Sequence, residues 1–397
     1  MTLLRRQPTA FALLVVLAAA SLTGCARDRG EDTSPALGRT QQGTPAGGAS
    51  GAPSPSAEWL ATKNTQRIPL ADTPALGAAV AHAVYPVTRP PAVALADADD
   101  WRAGLVGSVL MAPPLRAPLL FTREGEIPGD TRAALDRLRP AGAPAAAGAQ
   151  AIRLGTAGDP GNGLRTASVA GADPYTLAAN VDEYRARVAR RYSASVIVVP
   201  ADDPGYAMPA AAWAAKSGDP ILFASRRVLP GPTRRALRSH DRPRIYLLGP
   251  RSAVSRGVEI QLGKLGTVTR ITGGSPQTTA IAFARFSDGA FGWGVVDPGH
   301  GMAIANPGRP QDAGATAPLS ASGSYGPLLL ASDDGGLSRS LAGYLEDIRP
   351  GYSSDPVRGV YNRAWIVGDE EAVSTAAQGS IDELLEIAPV NQASRQP

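Results

Sequence analysis

Ser195-Val196-Ile197-Val198-Val199 is a short, continuous apolar run, the pattern of a parallel strand buried on both faces. Met208 to Lys216 is Ala-rich and helix-favouring, and Pro220 to Phe223 gives a second short strand. Pro232 to Ser239 reads as a helix with proline near its first turn. Arg244 to Leu248 reads as a third strand, and Ala253 to Leu265 as a helix capped by Ser252. The alternation βαβαβα predicts a parallel sheet joined by right-handed crossovers.

This pattern recurs. Pro118-Leu119-Leu120-Phe121 returns as Pro220-Ile221-Leu222-Phe223 after 102 residues, and as Pro327-Leu328-Leu329-Leu330 after another 107. Val169 to Ala178 aligns without gaps to Ile271 to Ala280, again at 102. Ile68 to Asp72 matches the same block more weakly. Tyr246-Leu247-Leu248-Gly249 followed by Ala253-Val254-Ser255 recurs as Trp365-Ile366-Val367-Gly368 followed by Ala372-Val373-Ser374, whereas the first copy keeps only Ile152-Arg153-Leu154-Gly155. Independent landmarks sharing an interval indicate copies of one unit. Three tandem α/β repeats of about a hundred residues are expected: 61–161 (the most degenerate), 162–265 and 266–389, with a tail at 390–397. The third copy follows the plan with Gly/Pro-rich insertions at Gly299 to Gly314 and Arg349 to Arg358.

At these landmarks the sequence resembles the cell wall binding repeat 2 (CWB2) family of Gram-positive surface proteins. Arg270-Ile271-Thr272-Gly273 with Thr279-Ala280 fits the family's opening segment, Pro220-Ile221-Leu222 its second landmark, and Tyr246 to Ser255 its third. Tyr206-Ala207-Met208-Pro209 replaces the family's Asp-Ala-Leu-Ala, and Pro174 and Pro276 stand where an arginine usually follows the opening. The resemblance implies three α/β units packed about a pseudo-threefold axis and holding anionic wall polymer in the clefts between them. It places Arg67 and Arg270 at the family's opening arginine, with Arg165 displaced by a few residues. A guanidinium fork suits two-point contact with phosphate or carboxylate, although each arginine has the alternative of pairing inside its own unit.

Acidic residues recur as well. Asp97, Asp202 and Asp297 are each expected just after the first strand of their copy, where open α/β sheets place ligands. Such aspartates also serve as helix caps or Asx turns; as ligand groups they would suit sugar hydroxyls or a metal rather than an anion.

The first sixty residues read differently. Arg5 and Arg6 precede an apolar run from Phe11 to Ala20, too short to span a bilayer and typical of a secretory leader. Leu22-Thr23-Gly24-Cys25 resembles a lipoprotein lipobox, which makes 1–24 a signal peptide and Cys25 a site of acylation. The rest of 25–60 is a Gly/Pro/Ser-rich tether without apolar periodicity. It would reach roughly 30 Å.

Composition narrows the function. Lys and Arg number 39 against 35 Asp and Glu, and loss of Arg5 and Arg6 with the leader reduces the excess from four to two. No basic face suited to nucleic acid is visible. A lone cysteine and three histidines leave no disulfide framework, no metal-ligand spacing and no nucleophile–base pairing, and no phosphate-binding glycine loop is present. The sequence therefore predicts a non-catalytic, cofactor-free protein, lipid-anchored on the outer membrane face and binding anionic glycopolymer or peptidoglycan of the wall. A solute-binding lipoprotein of a transporter, or a scaffold for another envelope protein, are the competing expectations.

Overall fold

The computed structural model describes residues 61–161, 163–322, 326–356 and 359–390. The leader, Cys25 and the tether lie outside the described residues. Twelve strands form three four-stranded sheets, and every pairing is parallel. The first sheet has the order β3-β2-β4-β5, from β2 (Val93–Asp97), β3 (Leu119–Thr122), β4 (Ala151–Leu154) and β5 (Thr166–Val169). The second has the order β7-β6-β8-β9, from β6 (Ser195–Pro200), β7 (Ile221–Ala224), β8 (Arg244–Leu248) and β9 (Thr267–Ile271). In the third, β1 (Thr65–Ile68) pairs with β13 (Arg363–Val367), which pairs with β10 (Gly301–Ala305), followed by β11 (Leu328–Leu330).

Each sheet therefore crosses a boundary of the sequence repeat. β5 falls within 162–265 by sequence yet completes the first sheet, and β9 falls within 266–389 yet completes the second. The first described strand closes the third sheet, with Arg67 in register with Ile366. The central strands are buried along their whole length, as apolar runs in a parallel sheet must be.

The recurring landmarks have local causes. Asp72, Asp173 and Ser275 cap α1 (Thr73–Val84), α4 (Pro174–Ala189) and α9 (Pro276–Arg285). Each accepts from a backbone amide three residues on, and Pro74, Pro174 and Pro276 occupy the opening helical positions, where no N–H is needed. In Ala-Val-Ser, Val254 and Val373 are fully buried, and the serine caps the next helix. Ser255 caps α8 (Arg256–Gly263), and Ser374 caps α12 (Thr375–Leu385). Ser252, the expected cap, lies in the preceding turn; the residue whose hydroxyl meets the third amide of the helix is Ser255.

A second correction concerns the third copy. Gly299 to Gly314 is not an insertion: it holds β10 and the start of α10 (Gln311–Ala321). The irregular segment is Ser287 to His300, and it covers the amino end of the second sheet. Its Phe291 stacks on Tyr246 with ring centroids 3.6 Å apart, beside Phe286 and Trp213. Arg349 to Tyr361 carries β12 (Gly351–Tyr352), which pairs with β14 (Ala388–Pro389).

Between the sheets, α10 packs on α1, on α2 (Trp101–Gly107) and on α6 (Pro209–Ser217). Gly314 allows the closest approach, since a Cβ there would lie 2.6 Å from the Gly104 carbonyl oxygen. The remaining helices, α3 (Gly129–Leu138), α5 (Pro204–Ala207), α7 (Gly231–Ser239) and α11 (Arg339–Asp347), lie among these strands. Among the described residues no helix is long and apolar enough to cross a membrane.

Candidate functional site

In the first and second sheets the chain leaves one central strand in one direction and the other in the opposite direction, and in the third β1 takes the edge place beside β13, so in each a crevice opens at the carboxyl ends of the central strands. Its walls are the loops after β2 and β4, after β6 and β8, and after β10 and β13. The structure places four of the six expected site residues at these ends and two elsewhere.

Arg67 and Arg270 hold the same position. Arg67 is 2% exposed. Its Nη1 donates to the carbonyls of Gly368 and Asp369 at 3.0 and 2.8 Å, its Nη2 to Val373 at 2.7 Å, and its Nε to the Gln378 side chain at 2.7 Å. Arg270 donates to the carbonyls of Gly249 and Val254 at 2.7 and 2.9 Å and to Glu259 at 2.9 Å. Gly249, Val254 and Glu259 correspond to Gly368, Val373 and Gln378, so each arginine clamps the loop between the third strand and the capped helix. Burial lowers the Arg67 pKa, and the Arg270 hydrogen bond lowers that of Glu259. The expectation that these forks face a ligand is corrected: their donors satisfy carbonyls that would otherwise be orphaned. They shape the crevice wall from behind.

Arg165 does not share this position. Ser168 does, in register with Arg153 as Arg67 is with Ile366. In the first sheet the clamp has moved one strand over: Nε and Nη2 of Arg153 donate to the Ala157 carbonyl at 3.0 and 2.7 Å. Arg165 precedes β5 at the amino end and is exposed, its Nη1 3.4 Å from the Ala147 carbonyl.

Asp97 ends β2 and is 8% exposed, with Oδ1 accepting from the Asp99 amide at 3.0 Å, an Asx turn. Asp202 is exposed beyond β6 and lies 3.8 Å from Arg102 Nη2. Arg102, on α2, donates through Nε to the Ala201 carbonyl at 2.8 Å and so bridges the carboxyl ends of the first and second sheets. Tyr175 joins them there: burial, then the charge of Asp202, raises its pKa. Asp297 contradicts its expectation. It lies before β10, at the amino end, paired with His300 at 3.1 Å, and Asn306 follows the strand instead.

Arg309, in the loop after β10, ties that loop to the turn between β1 and α1, with Nη2 on the Ala71 carbonyl and Nε on buried Asp312 at 2.7 Å. Burial opposes its charge, but the hydrogen bond and charge of Asp312 outweigh this and raise the pKa. Where α5 meets the start of α9 the contact is apolar: a Cβ on Gly205 would lie 2.9 Å from the Pro276 ring. Sequence reading missed Arg102, Arg153 and Arg309. Only Arg153 stood inside a repeated landmark, and its partner strand becomes visible only with the topology. Among the described residues no group of three His, Cys, Asp or Glu side chains could hold a metal ion.

Residues 168–259 match the family Cell wall binding domain 2 (CWB2), a stretch centred on the second sheet. Among solved structures, Cwp6 from Clostridium difficile superposes with a TM-score of 0.65 at 16% identity, over 81% of this chain and 48% of that one. Cwp8 from Clostridium difficile superposes with a TM-score of 0.63 at 18% identity, over 82% of this chain and 52% of that one. The chain thus spans about half the length of these structures, and at such identity the likeness is one of fold. No curated protein matches the sequence.

Proposed function

We propose that this is a non-catalytic, lipid-anchored surface protein whose three α/β units, packed about a pseudo-threefold axis, bind an anionic wall polymer. The observation that carries the reading is the match of residues 168–259 to Cell wall binding domain 2, set in a body whose other two sheets repeat the strand order of the second. The polymer is assigned to the carboxyl-end crevices. There Arg102 is the cation at the seam between the first and second sheets, Arg309 is the cation beside the turn from β1 into α1, and Asp97, Asp202 and Tyr175 offer partners for sugar hydroxyls. Weak contacts at several crevices of one rigid body reinforce one another through effective concentration. Acylation of Cys25 would hold the other end at the outer membrane face.

Extraction of cell envelopes tests both attachments together. Detergent alone should leave the protein with the wall, acid removal of anionic polymer alone should leave it with the membrane, and the two in sequence should release it. Release by detergent alone contradicts the wall grip, and release by acid alone contradicts the lipid anchor.

A further inference from the structure

At the opposite, amino end of the second sheet lies a polar cavity of about 310 Å³, away from every crevice described above. Three guanidiniums line it: Arg185 on α4, Arg191 two residues beyond its end, and Arg244 at the start of β8. Two carboxylates line it as well, and both are engaged by other donors. Asp219 accepts from Trp213 Nε1 at 2.8 Å and from Ser193 Oγ at 2.5 Å. Asp182 accepts from His240 Nε2 at 2.7 Å. Asp288, whose pKa the charge of Arg244 helps to lower, accepts from Tyr246 Oη and from the amides of Ala290 and Phe291. Among the described residues none of the three guanidiniums is in an ion pair.

Arg185 is held in this arrangement. Its side chain runs over Gly218, where φ is +79° and a Cβ would lie 2.4 Å from Nη2. The Nη2 donates to the Pro113 carbonyl at 2.8 Å, and Nε is buried without a partner. Burial first and the neighbouring Arg191 second depress its pKa, outweighing the opposite pull of the Asp219 and Asp182 charges. A half-buried arginine with one carbonyl partner, facing two exposed arginines across a polar cavity, is an arrangement that an oxyanion completes. Planar forks converging from several sides match the tetrahedral oxygens of a phosphate.

We propose that this cavity binds a phosphate group through Arg185, Arg191 and Arg244. The inference stands on the cavity alone; it joins the wall-binding reading where the phosphate is a diester of the polymer.

Calorimetric titration of the full chain, at fixed ionic strength, tests it with two probes: inorganic phosphate and the diester glycerophosphoglycerol, with glycerol as the neutral control. The same titrations are made on Arg191→Ala/Arg244→Ala, two exposed positions whose truncation leaves the core intact; an unchanged Tm checks this. The chain should bind at least one anion, and the double variant should bind it about tenfold more weakly or worse. Preference for the diester assigns the site to the polymer, and preference for inorganic phosphate assigns it to a free anion. Binding of neither anion, or equal binding by the double variant, overturns the proposal. Either of those results with retention on walls unchanged removes this site and leaves the wall-binding reading standing.

Discussion

Arg67 donates a 3.0 Å hydrogen bond to the carbonyl of Gly368, 301 positions later in the chain. The first described strand and the last unit are thereby one structure. Arg67→Ala would remove five hydrogen bonds, the longest to the Ser374 carbonyl at 3.5 Å, and leave buried carbonyls unpaired, each costing about 1–3 kcal/mol. The expected loss is at least about 3 kcal/mol, with hydrogen exchange rising first in β13 and α12. Uniform exchange throughout the chain would contradict this.

The same clamp in the first sheet gives a sharper test. Arg153→Ala should cost about 1–2 kcal/mol, since its hydrogen bonds go to a single carbonyl and its ion pair with Asp159, at 3.6 Å, is partly exposed. Adding Ser168→Arg restores a guanidinium at the position used by Arg67 and Arg270, and should recover part of the loss in denaturant titrations. No recovery would mean that the two positions are not interchangeable.

The repeat, the strand-and-helix alternation of the second copy and the parallel sheets were all legible in the sequence. The exchange of strands was not, for a simple reason. A cyclic permutation of a repeat has the same period as the repeat, so a 102-residue interval cannot say whether a copy's opening strand joins its own sheet or the preceding one. Asp297 was misplaced because Gly299, Gly301 and Pro307 disguise β10, while the apolar segment before it packs over Tyr246. Arg67 and Arg270 were recognised as equivalent, yet their targets are backbone carbonyls, which leave no trace in a side-chain pattern.

His240 and Asp182 form a buried pair at 2.7 Å, with His240 Nδ1 on the Ser193 carbonyl at 2.8 Å. Burial opposes the imidazolium, but the hydrogen bond and charge of Asp182 outweigh it and raise the His240 pKa; burial also raises that of Asp182. A raised histidine pKa gives stability that is complete below the unfolded value and lost as pH rises through the folded one. The raised Asp182 pKa acts in the same direction. His240→Ala should therefore cost about 3–5 kcal/mol under mildly acidic conditions and less in alkaline solution. A deficit that grows with pH in thermal melts would refute this assignment.

Gly314 on α10 faces the Gly104 carbonyl of α2 with no room for a methyl group. Gly314→Ala must separate the two helices, at about 1–3 kcal/mol despite its better helix propensity. A Tm at or above that of the unaltered chain would show that the helices cross more loosely than described.

The central claim is that the folded body grips anionic wall polymer, and co-sedimentation measures it most directly. The full chain, solubilised in detergent, would be mixed with purified wall sacculi from its source, either intact or stripped of anionic polymer by acid. The account predicts that the protein pellets with intact sacculi and remains in solution with stripped ones. Equal pelleting with both would move the target to peptidoglycan, and pelleting with neither would contradict wall binding altogether.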